Sequence, residues 1–528
     1  MNFNYLKSIW ACIIFLSLLS LYGCQADKKV AVDKGDTKWW VGVVSSGHKM
    51  PLTSNIELET RGATHWNQVQ PLILSNEGDV IFSEHPMKIT YKNKTFDFES
   101  DKDSIFQKKV GGTLKDAYLY ASKLFFPPSD NMPNELLFTA PQFNTWIELT
   151  YNQNQTDILN YARSIIDNGF EPGVLMIDDT WQKSYGQWEF DPVKFPDPEF
   201  MISSLHKMGF KVMLWIAPFV SGDIPQYRDL KEKKAFLKHP SSNKPLMVEW
   251  WNGQSAVLDL SNPVDQKWFK SQLDRLVNKY NVDGFKFDAG DAEFYVGGDS
   301  YANVTANQQT ELYAQIGLDY SLNEFRATWK MGGKALAQRL SDKDHSWEDL
   351  EKLIPQMNLL GIMGYPFSCP DLIGGGQYLS FEGEAKIDQE LIVRSAQAHA
   401  LMPMMQFSVA PWRILDPEHL KIVKEATDIR KKFKEYILET AKNSARTGEP
   451  IMRHMEYEYP HMGYAMVKDQ FLIGENLLVA PIIKKNSKMR TVFIPPGKWR
   501  DNQGHILIGP VVHEVTVELD TLPYYSKI

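Results

Sequence analysis

The chain shows three successive patterns of hydrophobic and polar positions. From residue 39 to about 140, short alternating segments such as WWVGVVSS and DVIFSEHPMKITYKNKTFDFES are separated by Gly, Pro and Asn. This alternation is typical of antiparallel strands, and it predicts an N-terminal β-sandwich. From residue 446 to 528 the alternation returns in FLIGENLLVAPII, MRTVFIPPGKW and VVHEVTVEL, and it predicts a C-terminal β-sandwich.

Between these regions, residues 141–445 alternate strand-like and helix-like segments. Amphipathic stretches such as QTDILNYARSIIDNGF predict helices, and Gly169, Gly209 and Gly361 end three of them as C-caps. The strand candidates are WIELTY, GVLMIDD, KVMLWIAPF, GFKFD, EFRATW, a weak one before LSD, GIMGYPF and MPMMQFSV. About eight alternations over roughly 300 residues predict an α/β fold, a (β/α)8 TIM barrel, with a doubly wound sheet as the alternative.

The first 24 residues have the pattern of an export signal. Lys7 precedes the apolar run IWACIIFLSLLSLYGC, which is too short to span a membrane comfortably and ends at Cys24. LYGC resembles a bacterial lipobox, so we predict lipidation of Cys24, a polar tether over residues 25–38, and attachment to the bacterial cell envelope through the lipid alone. An ordinary secretory signal is the alternative.

Composition excludes several functional classes. The 528 residues are 43% hydrophobic and 23% charged, as in soluble globular proteins. A net charge of −8 without a Lys/Arg-rich run predicts no nucleic-acid partner. Among the Cys residues only Cys369 lies in the predicted folded body, so no internal disulfide is expected there. His206 and His399 lie singly in predicted helices, and we predict neither a metal nor a cofactor.

The stretch DGFKFDAGD, residues 283–291, places charges along a strand that otherwise appears buried. Phe285 and Phe287 alternate with Lys286 and Asp288, which is the period of a strand with two unlike faces. A buried carboxylate without partners costs several kcal/mol, so these charges need a salt bridge or a chemical role. A purely structural ion pair between Lys286 and Asp288 is the alternative to a functional site.

Polar residues occur at the ends of several predicted strands. They are Asp178, Asp179, Trp215, Asp288, Arg326 and Asp371. In a barrel the carboxyl ends of the strands converge on one mouth, where catalytic residues lie. These side chains are therefore predicted to meet in one site.

Two carboxyl groups on either side of one bond are the requirement for glycoside cleavage. Asp342, which precedes a predicted helix opening at Trp347, is the best partner for Asp288, although a solvated loop or cap residue is the alternative. The ionised nucleophile is helped by a nearby cation, whereas the acid must keep its proton through burial or a neighbouring negative charge. A separation of about 5–5.5 Å between the carboxyl groups predicts retention of configuration, and roughly 6.5–9.5 Å predicts inversion.

Six motifs in one order resemble those of glycoside hydrolase family 31. They are MIDDTW, KFDAGD, SDKDHSW, GYPFSCPDLIGG, EPIMRHMEYEYP and FLIGENLLVAPI. The resemblance implies that Asp288 is the nucleophile and Asp342 the acid/base. It further implies substrate-binding roles for Asp178, Asp179, Trp215, Trp251, Lys286, Arg326, Arg339 and Asp371.

The chain departs from the common α-glucosidases of the family at three positions. Gln406 and Ser408 stand where those enzymes carry an Arg-x-His pair, and Arg339 stands where they carry Trp. MPMMQFSVAPWR and PPGKWR resemble the branch that contains the animal myogenesis-regulating glycosidase and related bacterial enzymes, whose known activity implies an α-galactosidase. Galactose differs from glucose in having an axial 4-hydroxyl, and selectivity between the two sugars requires a change of this kind in the polar groups around the sugar ring.

The expected function is a retaining exo-acting α-glycosidase that hydrolyses terminal non-reducing α-linked sugars. Its predicted partner is therefore an oligosaccharide or glycoside substrate, and α-galactosidase activity is favoured. An α-glucosidase or α-xylosidase of the same family is the first alternative. A non-catalytic glycan-binding lipoprotein is the second, although it would not need both carboxylates.

Overall fold

The computed structural model describes residues 28–31, 37–63, 65–100, 102, 105–383 and 387–528. The predicted lipidation site, Cys24, and the signal segment lie outside these residues, so lipid anchoring stays a prediction. Four residues of the predicted tether form a strand, Lys28–Ala31, which pairs antiparallel with Thr95–Ser100. The prediction of a tether is wrong for these residues, because they supply backbone hydrogen bonds to a sheet edge. Within the described residues, no helix has the length and apolar character needed to cross a membrane.

The strands, numbered in chain order, are β1 Lys28–Ala31, β2 Trp39–Val43, β3 Ile56–Glu59, β4 Gln68–Ser75, β5 Asp79–Ser83, β6 Met87–Lys92, β7 Thr95–Ser100, β8 Ile105–Lys109, β9 Gln142–Asn144, β10 Val174–Ile177, β11 Gln182–Ser184, β12 Gln187–Phe190, β13 Lys211–Ile216, β14 Phe219–Ser221, β15 Met247–Trp250, β16 Gly253–Val257, β17 Gly284–Phe287, β18 Leu322–Phe325, β19 Thr328–Trp329, β20 Gln338–Arg339, β21 Ser368–Cys369, β22 Gln406–Phe407, β23 Met452–Arg453, β24 Phe471–Ile473, β25 Leu477–Val479, β26 Met489–Asp501, β27 Ile506–Thr516 and β28 Tyr524–Lys527.

The α-helices are α1 Leu114–Phe125, α2 Leu136–Thr139, α3 Trp146–Leu149, α4 Gln155–Asp167, α5 Pro198–Lys207, α6 Pro225–Glu232, α7 Pro263–Tyr280, α8 Ala306–Gly317, α9 Trp347–Ile362, α10 Gln389–Ala400, α11 Pro411–Ile414, α12 Pro417–Thr447 and α13 Met455–Glu458. Short 3-10 helices cover Val44–Lys49, Ala292–Tyr295, Tyr378–Phe381 and Tyr464–Met466.

Eight parallel strands form the central barrel, in the order β22, β9, β10, β13, β17, β18, β20 and β21. A parallel bridge between Leu372, just after β21, and Gln406 of β22 brings the two ends of this sheet together. The strands β10, β13, β17 and β18 are buried along almost their whole length, as expected for a parallel sheet covered by helices. The predicted barrel is confirmed, and the doubly wound alternative is wrong.

Two of the predicted barrel strands were misplaced. WIELTY contains helix α3, and the first strand lies just before it, at Gln142–Asn144. The side-chain oxygen of Asn144 accepts a hydrogen bond of 2.7 Å from the amide of Trp146, which turns the chain out of the sheet. GIMGYPF includes the end of helix α9 and a turn at Gly364, whose φ is +86°, before β21 begins.

The N-terminal β domain is built from two sheets and is joined to the barrel through its backbone. One sheet has the order β1, β7, β6, β3, and the other has the order β19, β4, β5, β8 with β2 beside β4. Strand β19 comes from the barrel region and pairs in parallel with Gln68 and Val69. The amide of Gln68 also donates hydrogen bonds of 3.1 Å to the carbonyls of Phe325 and Arg326. EFRATW, predicted as one strand, therefore divides between the barrel and this domain.

The predicted C-terminal β domain is confirmed, but it is one six-stranded antiparallel sheet, in the order β23, β24, β25, β28, β26, β27, rather than a sandwich of two sheets. The reason is that β28 pairs with both β25 and β26 and so joins all the strands into one sheet. It has an apolar cluster of its own, in which Leu472, Leu478 and Trp499 are fully buried. The long helix α12 leads into this domain and ends at Gly448, whose φ of +76° is the left-handed conformation that favours glycine.

Candidate active site

A pocket of about 330 Å³ opens at the carboxyl ends of the barrel strands. It is lined by Trp66, Trp146, Tyr151, Asp178, Asp179, Trp215, Trp251, Lys286, Asp288, Arg326, Arg339, Ser341, Asp342, Leu372, Gln377 and Tyr378. The structure thus brings together nine of the ten predicted catalytic and substrate-binding residues. The exception is Asp371.

Asp288 follows β17 and lies on the pocket wall with its carboxyl group largely buried. Its Oδ2 accepts a hydrogen bond of 2.8 Å from the indole N–H of Trp215, at the end of the neighbouring strand β13. The guanidinium groups of Arg326 and Arg339 lie 3.8 Å and 4.0 Å from its Oδ1. Burial opposes ionisation, but Arg326, Lys286 and Arg339 outweigh it and lower the pKa of Asp288 to about 2. Asp288 is therefore a carboxylate at neutral pH.

Lys286 forms its ion pair with Asp178 rather than with Asp288. The Lys286 Nζ donates to Asp178 Oδ2 over 2.6 Å, and Asn144 donates to the same oxygen over 2.8 Å. The alternative of a structural Lys286–Asp288 pair is wrong, because β10 and β17 lie on either side of β13 and their strand ends face the same mouth. Lys286 still acts on Asp288 through its charge.

Asp179 is a second buried carboxyl group on the same side of the pocket. It accepts hydrogen bonds from the Tyr185 hydroxyl, over 3.1 Å, and from the amide of Asn252. Burial and the adjacent charge of Asp178 raise the pKa of Asp179 to about 7. Asp179 can therefore offer a protonated or an ionised oxygen to a sugar hydroxyl near neutral pH.

Asp342 lines the same pocket, after β20, and contacts the guanidinium of Arg339. Its side chain is 28% exposed, so it can reach a ligand in the pocket. Burial again opposes ionisation, but Arg339 and Arg326 lower the pKa of Asp342. The expectation that this group keeps its proton through its surroundings is therefore not met, because the sequence does not show that Arg339 points toward Asp342.

Asp371 lies behind Arg339 and is fully buried, with no place in the pocket lining. Its Oδ1 accepts a hydrogen bond of 2.8 Å from Arg339, and its Oδ2 accepts one of 2.9 Å from the backbone N–H of Lys343. The prediction that Asp371 binds substrate is therefore wrong. Its strand end does reach the mouth, but its side chain is turned toward the protein interior.

Arg326 is held between two indole rings at one side of the mouth. Its guanidinium carbon lies 4.8 Å from the ring centre of Trp251 and 5.9 Å from that of Trp66. Trp66 belongs to the N-terminal β domain, and its indole N–H donates a hydrogen bond of 2.9 Å to the carboxylate of Glu293. Trp66 was not among the predicted site residues, although a Trp between His65 and Asn67, outside any alternating segment, was a signal that it does not pack in a sheet.

A second aromatic group stands on another part of the rim. The rings of Trp146, Tyr151 and Tyr378 lie edge to face, with centres 5.4–5.8 Å apart. Trp146 and Tyr151 were missed because their segment was interpreted as a barrel strand. Aromatic faces of this kind can hold the apolar faces of sugar rings.

Gln406 and Ser408, the positions at which the chain departs from common α-glucosidases, do not line the pocket. Gln406 is buried in the barrel and donates over 3.1 Å to both Gln142 and Glu324. Ser408 accepts a hydrogen bond of 2.7 Å from the backbone N–H of Ile147. These two side chains therefore serve the packing of the barrel.

Comparison with known proteins agrees with this architecture. The family model for the glycosyl hydrolases family 31 TIM-barrel domain matches residues 137–440, and the model for the family 31 C-terminal domain matches residues 448–528. A solved structure of a Flavobacterium johnsoniae family 31 dextranase, complexed with glucose, matches with a TM-score of 0.84 at 19% identity. That match covers 95% of this chain and 66% of that chain, and it shows a shared fold.

Two curated relatives are similar in sequence. Myogenesis-regulating glycosidase of Mus musculus is 32% identical over 435 residues, covering 79% of this chain and 60% of the mouse protein. Alpha-glucosidase 2 of Bacillus thermoamyloliquefaciens is 24% identical over 535 residues, covering 89% of this chain and 65% of that protein. The chain thus spans less than two thirds of the length of either relative. Because the barrel-domain model alone matches more than half of the chain, the protein belongs to glycoside hydrolase family 31.

Proposed function

We propose that the protein is a retaining exo-acting α-glycosidase with a preference for terminal α-galactosyl groups. The observation that carries the proposal is the pair of carboxyl groups in one pocket: Asp288 is held ionised by cations, and Asp342 reaches the same space from the other side of Arg339. One carboxylate to attack and a second carboxyl to transfer a proton are what glycoside hydrolysis requires.

In the proposed first step, Asp288 attacks the anomeric carbon while Asp342 gives a proton to the departing glycosidic oxygen. The bond from carbon to that oxygen breaks, and an ester between the sugar and Asp288 forms. Asp342, now ionised, then takes a proton from water, and the resulting hydroxide displaces Asp288. Two inversions at one carbon give net retention. The carboxylates around the ring stabilise the positive charge of the oxocarbenium-like transition state.

The shape of the pocket supports attack on chain ends. Its lining includes residues at the ends of the barrel strands, and it carries Trp66 and Trp251 on one side and Tyr151 and Tyr378 on another. A space of about 330 Å³ with aromatic walls suits one or two sugar rings rather than a chain that passes through.

The preference for galactose rests on the polar groups that face the pocket. Arg339 lines the pocket at the position where common α-glucosidases of the family carry Trp. Gln406 and Ser408 stand where those enzymes carry Arg and His, so these two positions place neither a guanidinium nor an imidazole in the pocket. A site whose polar groups bind an axial 4-hydroxyl discriminates against a sugar with an equatorial one, because those buried polar groups would lose their hydrogen-bond partner.

A panel of 4-nitrophenyl glycosides tests both activity and sugar identity. We expect the α-galactoside to be hydrolysed with a kcat/KM at least tenfold above those of the α-glucoside and α-xyloside, as about 1.4 kcal/mol of differential binding would give. The β-galactoside is the matched control and should not react. Faster hydrolysis of the α-glucoside or α-xyloside would show that the preferred sugar is glucose or xylose and not galactose. Binding of oligosaccharides without any hydrolysis would support a glycan-binding protein instead.

The hydrogen bond from Trp215 gives a further prediction. Trp215→Phe keeps an aromatic ring but removes the donor to Asp288, so the pKa of Asp288 should rise and the acidic limb of the kcat/KM profile should move to higher pH. Because a hydrogen bond to a charged group contributes about 1.5–3 kcal/mol, we expect a loss of about 10- to 100-fold in kcat/KM. Trp188→Phe, at a buried indole outside the pocket, is the control. An unchanged profile in Trp215→Phe would contradict this role.

A further inference from the structure

Asp371 and Asp342 share one guanidinium nitrogen. Arg339 Nη1 donates a hydrogen bond of 2.8 Å to Asp371 Oδ1 and also contacts Asp342 Oδ1. Only Asp342 faces the pocket, while Asp371 is buried behind it. Two carboxyl groups that bind the same donor atom cannot be ionised independently of each other.

The backbone around these groups keeps them close together. A Cβ atom at Gly376 would lie 2.9 Å from Asp371 Oδ2 and 3.2 Å from Asp342 Oδ1, so both carboxyls border the space that the missing side chain leaves. The backbone N–H of Lys343 fixes the second oxygen of Asp371. Asp371 therefore cannot turn away from Arg339 without losing two hydrogen bonds.

Several titratable groups face the pair. Asp371 is faced by Arg339, Asp342 and Lys343, and by the thiol of Cys369. Asp342 is faced by Arg339, Arg326, Asp288, Lys286 and Lys343. Burial and the charge of Asp342 raise the pKa of Asp371 to about 7, against the opposing effect of Arg339, whereas the pKa of Asp342 is lowered. The two neighbours thus have pKa values displaced in opposite directions.

We propose that Asp371 is a positioning residue for the acid/base, which shares one proton with Asp342 across Arg339. This inference rests on the proposed glycosidase function. When Asp371 holds the proton, Arg339 pairs with ionised Asp342. When Asp371 is ionised, it takes Arg339 as its own partner, and its negative charge favours protonation of Asp342, the form that serves as an acid. The pocket therefore reaches its acid-competent state through a residue that the substrate does not touch.

Asp371→Asn tests this role, because it keeps the shape of the side chain and removes its charge. Arg339 then pairs with Asp342 alone, so the pKa of Asp342 should fall. We expect the alkaline limb of the kcat/KM profile to move at least about one pH unit lower. Hydrolysis of the methyl glycoside, whose leaving group needs a proton, should fall at least about tenfold more than that of the 4-nitrophenyl glycoside.

The control is Asp283→Asn, which removes another largely buried, ion-paired carboxyl at the opposite end of β17, bound to His206 and Lys211. It should leave the pH profile and the ratio between the two leaving groups unchanged. If Asp371→Asn also leaves the pH profile and the leaving-group ratio unchanged while the wild type is active, the inference is overturned and the proposed function stands. A wild type without activity would instead refute the proposed function.

Difference infrared spectroscopy of carboxyl protonation gives a readout that needs no turnover. Coupling is reciprocal, so Asp342→Asn should lower the pKa of Asp371 just as Asp371→Asn lowers that of Asp342. Asp179 also has a pKa of about 7, so each variant spectrum is subtracted from that of the wild type to cancel its band. The remaining protonated-carboxyl signal should lie near neutral pH in the wild type and at lower pH in each variant. Independent titration of the two groups, with no shift in either variant, would overturn the proposal whatever the activity.

Discussion

Asp288→Asn is expected to lower kcat by at least about 10⁴-fold, the largest effect predicted for any single residue of this protein. The amide keeps the hydrogen-bonding shape of the side chain but cannot attack the anomeric carbon, so the covalent intermediate does not form. The charge of Asp288 is maintained by Arg326, Lys286 and Arg339, which lower its pKa to about 2 against the effect of burial.

The measurement is the rate of nitrophenol release from the best substrate of the aryl-glycoside panel. Asp283→Asn, in the same DGFKFDAGD segment but at the other end of β17, should keep its activity. Thermal unfolding of both variants shows whether the fold is intact. If Asp288→Asn folds and retains more than a trace of turnover, Asp288 is not the nucleophile.

Asp342→Asn is expected to show a loss that depends on the leaving group. Removing a general acid/base costs about 10²–10⁴-fold, and the cost should be highest for disaccharides and methyl glycosides, because their alkoxide leaving groups need a proton. A nitrophenolate leaves without one, so the sugar can still transfer to Asp288. Azide, which needs no general base, should then release the sugar as an α-glycosyl azide.

Nuclear magnetic resonance of the first product identifies its anomeric configuration. The wild type should release the α-anomer, and the azide adduct of Asp342→Asn should also be α, because both arise from two inversions. Asp349→Asn, a carboxyl near Asp342 that binds Lys352 outside the pocket, is the control and should need no azide. An initial β-product from the wild type would show inversion and would refute the scheme.

Distant contacts decide the conformation of the short segments that were predicted wrongly. WIELTY has the composition of a strand, yet Ile147 donates its backbone N–H to Ser408 and the segment becomes helical at the mouth. EFRATW was predicted as one strand because nothing local shows that Thr328 and Trp329 leave the barrel to pair with Gln68 and Val69. Propensity is a weak guide where tertiary pairing supplies most of the stabilisation.

The periods of strands and helices and the polar residues at strand ends are local signals, so the barrel and the flanking β domains could be predicted from the sequence, and Asp288 and Asp342 could be proposed as the two acids. Which charges meet depends on the folded arrangement. It pairs Lys286 with Asp178, turns Asp371 away from the pocket, and brings Trp66 from another domain to cover Arg326. The physical reason is that the direction of a side chain and the pKa of a carboxyl depend on neighbours that are close in space and far apart along the chain.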